Sequence, residues 1–357
     1  MRPTTLLCAS LGLAACTRGP EPVPAATAAP TTPAPAPAPA PAPEPAPVAA
    51  APAPAPAPEP APPPGPELPV APDGTRAVAC LDPPPAGVAC IPGGPFIRGS
   101  DTGPKHSRPQ ATVWLQTFYM DLQEVTYSEY KACEKDGKCG KAGPLYNDFN
   151  RPRQPISGIS WYNAVEFCKA QGKHLPTEAQ WEKAARGPDG KTHPWGDEPA
   201  TCERAVIKDK TGRSCGTPKK GSQADKGRTY EIGSRPPYQY GLHDMSGNSW
   251  EWVADWMSDS YEACGKDCEG VDPLGPCAGA EPCKGHSEKI VRGGSWYWDA
   301  KHATALYRRP HFPKNQPFHH FGFRCAASVA EAEQLLKTPA LYAPPPNPSV
   351  APPAKTP

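Results

Sequence analysis

Between Pro20 and about Pro72 the chain is almost entirely Pro and Ala, as in "PAPAPAPAPAPEPAP". This run limits what the rest of the chain can fold into. Proline fixes φ and has no N–H to give to a helix or a ladder, so the run is expected as polyproline II, rising ~3.1 Å per residue. About fifty such residues reach on the order of 150 Å, less any bending, and would hold whatever follows well away from an anchor. A second Pro-rich piece, "APPPNPSVAPPAKTP", closes the chain. The expected organisation is a signal over 1–15, a tether over 16–75, one folded domain over 76–327 and a disordered tail over 328–357.

The first residues have the form of an export signal: Arg2, then the apolar run "LLCASLGLAAC", which is too short to cross a bilayer as a permanent helix. Leu13-Ala14-Ala15-Cys16 resembles a bacterial lipobox, in which Cys16 is lipidated and becomes the new N-terminus; the alternative is an ordinary signal peptide cut near Ala15. A diacylated cysteine with an amide-linked chain would give stable membrane anchoring. Thr17 stands where inner-membrane lipoproteins commonly carry Asp. The expectation is therefore an exported protein, lipid-anchored at the outer membrane or a periplasmic face. The formal net charge of +1 gives no basic stripe to neutralise phosphates, so nucleic acid is not an expected partner.

Of 14 cysteines, Cys8 and Cys16 belong to the signal, and the remaining twelve are an even number in an exported chain. That favours disulfides over free thiols or zinc. Cys133/Cys139, Cys202/Cys215, Cys264/Cys268 and Cys277/Cys283 are local pairs by spacing; the full connectivity stays open. Three helices are legible. "TYSE" at Thr126–Glu129 is a capping box with its helix running to Gly137. Ser160 caps a helix ending at Gly172, and Thr177 caps one ending at Gly187 with Gln180 as box partner. Cys168 falls on the apolar face of the second helix with Ala164 and Val165. "ATVWLQTFYM" alternates as a short half-buried strand, and the rest is turns. Such a texture predicts a single α+β domain of low regular secondary structure, held by aromatic packing, buried turns and disulfides.

In order along the chain, "GGPFIRGSD", "EVTYSEY", "PISGISWYNAVEFCKAQGKHLPTEAQWEKAARG", "HPWGDE", "YGLHDMSGNSWEWVADW", "VRGGSW" and "FGFRCA" resemble the formylglycine-generating enzyme (sulfatase-modifying factor) family, from about Ile91 to Ala326. The resemblance implies a mixed α/β domain related to C-type lectin folds, usually with bound calcium. It places a structural Ca2+ on side chains and carbonyls at Asp244, Gly247, Ser249 and Glu251, a set compatible with a cation that takes six to eight oxygens. Without calcium, the same stretch reads as a glycine turn with Trp250, Trp252 and Trp256 packed inside. The family's other calcium segment departs here to "CERAVIKDKTGRSCG", and no second site is expected. The resemblance also implies a Cys168–Cys325 bridge, while a second family bridge is lost at both ends, at Ala185 and Arg308.

Oxidase members of that family oxidise a client cysteine with a copper ion on two thiolates. At the matching positions this chain has Trp298 and Ala303, and neither ligates copper, so copper is not expected. His302, His311, His319 and His320 crowd the region, and Glu251, Asp255 and Asp299 are the acids nearest it. Cysteine-free relatives in siderophore maturation show that catalysis can survive the loss of the pair. The expectation is a membrane-tethered binding or scaffold lipoprotein without oxidase activity. Its recognition groove would be built from Trp296, Trp298, Tyr307, Arg308 and Arg309 and suited to a protein, peptide or glycan. The alternative is an extracytoplasmic oxidoreductase of the same family with altered metal or cysteine-free chemistry.

Overall fold

In a computed structural model, residues 67–216, 227–315, 319–338 and 341–343 are described. The export signal, Cys16, nearly all of the Pro-Ala run and the last residues of the chain lie outside them. The three expected helices form: α1 (Tyr127–Lys135), α2 (Trp161–Ala170) and α3 (Glu178–Arg186). Each starts on a complete capping box, from Thr126, Ser160 and Thr177, which satisfies backbone N–H groups that have no partner inside the helix. On α2, Ala164, Phe167 and Cys168 all turn inward.

Strands are more numerous than turns-and-loops patterning suggests. β1 (Val88–Ile91), β4 (Phe118–Asp121) and β9 (Ala326–Ser328) form one sheet in the order β1-β4-β9. β2 (Gly94–Arg98) and β3 (Ala111–Leu115) form a hairpin. β5 (Trp250–Trp256), β6 (Lys289–Arg292), β7 (Arg309–His311) and β8 (Phe321–Gly322) form the third sheet in the order β7-β6-β5-β8, with only β5 and β8 parallel. A single strand was expected over "ATVWLQTFYM". It is instead two, β3 and β4, in different sheets. The break falls at Gln116 and Thr117, where the Thr117 hydroxyl takes the Gly93 N–H. Trp114 and Leu115 are both buried, which a straight, one-faced strand does not allow. The stretch "WEWVADW" is the buried strand β5, its residues 250–253 all fully covered, because α3 and the aromatic core close over both of its faces.

Two boundaries shift. Val70 pairs with Arg76, and Ala71 and Ala77 pack on Trp114, so the fold takes in residues that the tether was expected to hold. The tail expected as disordered from residue 328 opens instead with α5 (Val329–Lys337), capped by Ser328 and Glu331. A short α4 (Tyr261–Cys264) lies earlier in the chain. Beyond α5, Tyr342 is buried: its hydroxyl donates to Asp136 and its carbonyl accepts from Gln171 Nε2. These residues carry apolar and aromatic side chains that the packed helices can cover.

All twelve cysteines of the domain are paired. The local bridges are Cys80–Cys90, Cys133–Cys139, Cys202–Cys215, Cys264–Cys268 and Cys277–Cys283, and Cys168–Cys325 joins α2 to the segment between β8 and β9. Cys80–Cys90 is the pair that spacing had not singled out. Cys168–Cys325 closes 157 residues, against 4 to 13 for the others. Loop-closure entropy in the unfolded chain grows with that length. Replacing Cys168 and Cys325 together with Ala is expected to lower unfolding stability by about 2–5 kcal/mol, and more than the Cys133/Cys139 double replacement does. Denaturant midpoints of the two variants check the ranking.

Candidate functional site

The segment that follows β6 is shaped by two glycines. Gly293 and Gly294 both have positive φ, 88° and 83°. A Cβ on Gly293 would stand 3.1 Å from the Trp181 ring, and one on Gly294 would stand 2.8 Å from the Cα of Ala303. The backbone therefore leaves β6 pressed against α3 on one side and its own returning loop on the other.

Both ends of this loop are held by the same carboxylate. Arg292, at its start, and Arg308, at its end, donate to Glu178 at the head of α3. Arg292 also reaches Glu182, one turn on, which accepts from Arg186, from the Tyr261 hydroxyl (2.8 Å) and from the Gly99 N–H (2.7 Å). Burial opposes ionisation of both acids, but the Arg308 and Arg292 guanidiniums outweigh it at Glu178 and hold its carboxyl below the usual range. At Glu182 burial is outweighed by Arg292 and Arg186, and the value falls to about 2. This pairing overturns two of the expected groove positions. Arg308 is 1% exposed, spending its donors on Glu178 and on the His106 and Ser258 carbonyls, and Trp296 is fully buried against Phe149 and Val206. Both are internal because the loop is anchored through them.

Trp298, Tyr307 and Arg309 remain half-buried at the surface, joined by Tyr297, His302 and, from elsewhere in the chain, Arg213. The Arg309 guanidinium lies 4.7 Å from the centre of the Trp298 ring and 5.7 Å from that of Trp250; Arg213 lies 3.6 Å over Tyr297. His302 Nδ1 donates to the Asp299 carboxylate (2.6 Å), and His302 packs with His106 around Tyr307. Neither Arg213 nor His106 carries a local sequence signal, since each reaches the face only through tertiary packing. Burial, reinforced by the Arg308 and Arg292 charges, pushes His106 down to about 4; burial, with His319, Arg309 and His311 adding, pushes His320 down to about 3. These imidazoles are uncharged at neutral pH. Ala303, the second of the two positions that the family resemblance aligns with a thiolate, is buried under the loop, its carbonyl accepting from His193.

The three candidate acids do not converge. Glu251 is wholly buried, accepting two N–H bonds from Arg324 (2.8 and 2.7 Å) and one from the Trp181 indole (2.8 Å). Asp299 is exposed. Asp255 sits behind α3 and accepts the Glu178 N–H (2.6 Å), an N-terminal helix contact away from the groove. Burial, and then the Glu178 charge, raise its carboxyl from 3.8 to about 7.

The expected calcium loop has a conformation of its own. Asp244, Gly247 and Asn248 all lie at positive φ. Asp244 Oδ2 accepts the Gly233 N–H, while its buried Oδ1 has no hydrogen-bond partner among the described residues. Glu124, unremarked in the sequence, stands beside it as a third buried carboxylate, held by the Asn248 amide; burial, and then the Asp244 and Glu251 charges, raise its value well above the usual range. The Gly247 N–H bonds to the Gly293 carbonyl, which ties this loop to the one after β6, and Ser249 is fully buried. Among the described residues no three His, Cys, Asp or Glu side chains gather as a metal-ligand group.

Residues 79–329 match the sulfatase-modifying factor enzyme 1-like domain. A formylglycine-generating enzyme from Thermomonospora curvata is 35% identical over 191 residues, 52% of this chain and 59% of that one. The serine/threonine-protein kinase pkn1 of Chlamydia caviae is 30% identical over 264 residues, 67% of this chain but 37% of that protein. The chain thus spans less than two thirds of the length of either relative. Among solved structures, PvdO from Pseudomonas aeruginosa superposes with a TM-score of 0.53 at 23% identity, over 68% of this chain and 94% of that one, a likeness of fold.

The raised carboxyl of Asp255 has a sign that can be measured. In the fold its proton is held to about pH 7, whereas the unfolded chain releases it near 3.8, so stability falls as pH rises between those values and levels off above. Asp255→Asn keeps an acceptor for the Glu178 N–H and cannot ionise. Its melting temperature is expected to gain on the wild type from pH 4 to pH 7 and hold that lead at higher pH. A constant gap across the range would show that burial of Asp255 does not control its ionisation.

Proposed function

Because this chain belongs to the sulfatase-modifying factor enzyme 1-like family, we propose that its domain is a recognition or scaffold module that has given up thiolate–copper oxidation. The observation that carries this reading is the use of cysteine. All twelve cysteines of the domain are engaged in six disulfides, so none offers a thiolate. The positions aligned with the copper-binding pair are Trp298, stacked under Arg309, and the buried Ala303. Cu(I) is selected by soft sulfur ligands, and without them the oxidation lacks its metal. What this face presents in their place is Tyr, Trp and Arg, side chains enriched where proteins contact partners, with His302 beside them. The module is proposed to be exported and lipid-anchored through Cys16 at the outer membrane or a periplasmic face, with the Pro-Ala run as its spacer and a protein, peptide or glycan as the groove's ligand.

The runner-up reading, an extracytoplasmic oxidoreductase with altered metal or cysteine-free chemistry, draws on His106 and His302 beside Tyr307, imidazoles that could act as ligands or bases. Incubation of the purified domain with a Cys-x-Pro-x-Arg peptide separates the two. No aldehyde is expected. Formation of formylglycine, or stoichiometric copper or iron in the purified protein, would overturn the recognition reading.

We further propose that a structural Ca2+ is held by Asp244, Glu251 and the carbonyls of Gly247 and Ser249, supplying charge compensation to a region with three buried carboxylates and Arg324. The unpartnered Asp244 Oδ1 supports this, since a buried carboxylate oxygen without a partner is costly. The ion would brace the loop that contacts Gly293 and take no part in chemistry. Chelation is expected to lower the melting temperature by several degrees, and Asp244→Ala to abolish that response. A melting temperature indifferent to chelator removes the site.

A further inference from the structure

We infer that the face formed by Tyr297, Trp298, Arg213 and Arg309 binds the carboxylates of an acidic peptide segment; this deepens, and rests on, the recognition reading above. Among the described residues the buried guanidiniums are committed; Arg153, for one, lies 3.7 Å from Glu231. Arg186, Arg292, Arg308 and Arg324 each contact a buried carboxylate, and Arg98 donates to the Cys268 carbonyl. Arg309 and Arg213 differ. Both are half-buried, both are stacked on rings, and neither has a carboxylate within ion-pair distance among the described residues. The nearby acid, Asp299, is taken by His302 and Lys301.

The two cations lie on neighbouring residues' rings, Tyr297 and Trp298, whose centroids are 5.5 Å apart. A guanidinium stacked by its face keeps its N–H donors in the plane, directed past the ring edge, where they match a carboxylate two by two. Partial desolvation of Arg309, which depresses its own ionisation, sharpens the need for an external anion. The same stacking decides between ligand classes. Arg213 caps Tyr297, and Arg309 and His302 flank Trp298, so the ring faces on which a sugar would stack are occupied. Pro310 in the edge strand β7 has no N–H to offer an incoming strand, so contact runs through side chains. Carboxylates spaced along a peptide meet these requirements by charge complementarity.

The test uses the domain with its tether, a fluorescent peptide alternating Glu and Gly, its Gln/Gly counterpart, an oligogalacturonate, and an array of neutral and basic peptides. The Glu peptide is expected to bind, more weakly as salt rises, and Arg213→Gln and Arg309→Gln to weaken it about tenfold each without changing the melting temperature. Arg309→Lys should recover only part of the loss. Equal binding of the Gln peptide, undiminished binding in both Gln variants, or a preference for the oligogalacturonate overturns the inference. If only neutral or basic peptides bind, and Trp298→Ala abolishes it, the acidic class is wrong and the recognition reading stands. If neither a peptide nor the oligogalacturonate binds, both fall.

Discussion

Two carboxylates placed four residues apart on one short helix organise this domain. Glu178 and Glu182 are sealed from solvent, and a buried charge is tolerated only when it is paired and hydrogen-bonded. Their partners come from separate parts of the chain: Arg186 from α3 itself, Arg292 from β6, Arg308 from just before β7 and Tyr261 from α4. Glu178 is met by Arg292 and Arg308 and Glu182 by Arg186 and Arg292, so each carboxylate has two guanidiniums and the segments that carry them are tied at one place. The consequence for function is geometric. Because Arg292 and Arg308 close on the same carboxylate, residues 293–307 form a loop fastened at both ends, and its middle is what the molecule presents.

A second polar junction repeats the device. Glu251 on β5 is clamped by Arg324 and by the Trp181 indole, so the strand, the chain after β8 and α3 meet at one carboxylate. Around these junctions the apolar core is mainly aromatic, with Trp181, Trp250, Trp252 and Trp296 entirely covered. Large rings bury much area per residue, which suits a domain of short strands and few helices. The disulfides supplement this core, one across the whole domain and five within local turns.

Cysteine is consumed by that scaffold, and this shapes what the face can do. The face carries guanidiniums stacked on Tyr297 and Trp298, with His302 and Tyr307 beside them. The tight Gly293–Gly294 exit, needed for close packing on Trp181 and Ala303, serves a presented surface as well as it would a catalytic one.

The helices, their boundaries, the even cysteine count and the family were legible in the sequence, because capping boxes, glycine stops and ordered motifs are local. Cys168–Cys325 followed from resemblance to that family. The strand break at Gln116 and the helix α5 were missed, since burial on both faces and docking against distant elements leave no period to read. Arg308 and Trp296 read as surface residues because Arg and Trp are common at interfaces. Only the fold decides that Arg308 is spent on Glu178, whereas Arg309, one residue on, has no carboxylate within ion-pair distance among the described residues. The sequence by itself determined how many cysteines the chain holds for pairing, as they are countable. Which groups it displays was decided by tertiary structure, because the inward or outward aim of a side chain depends on partners more than a hundred residues away.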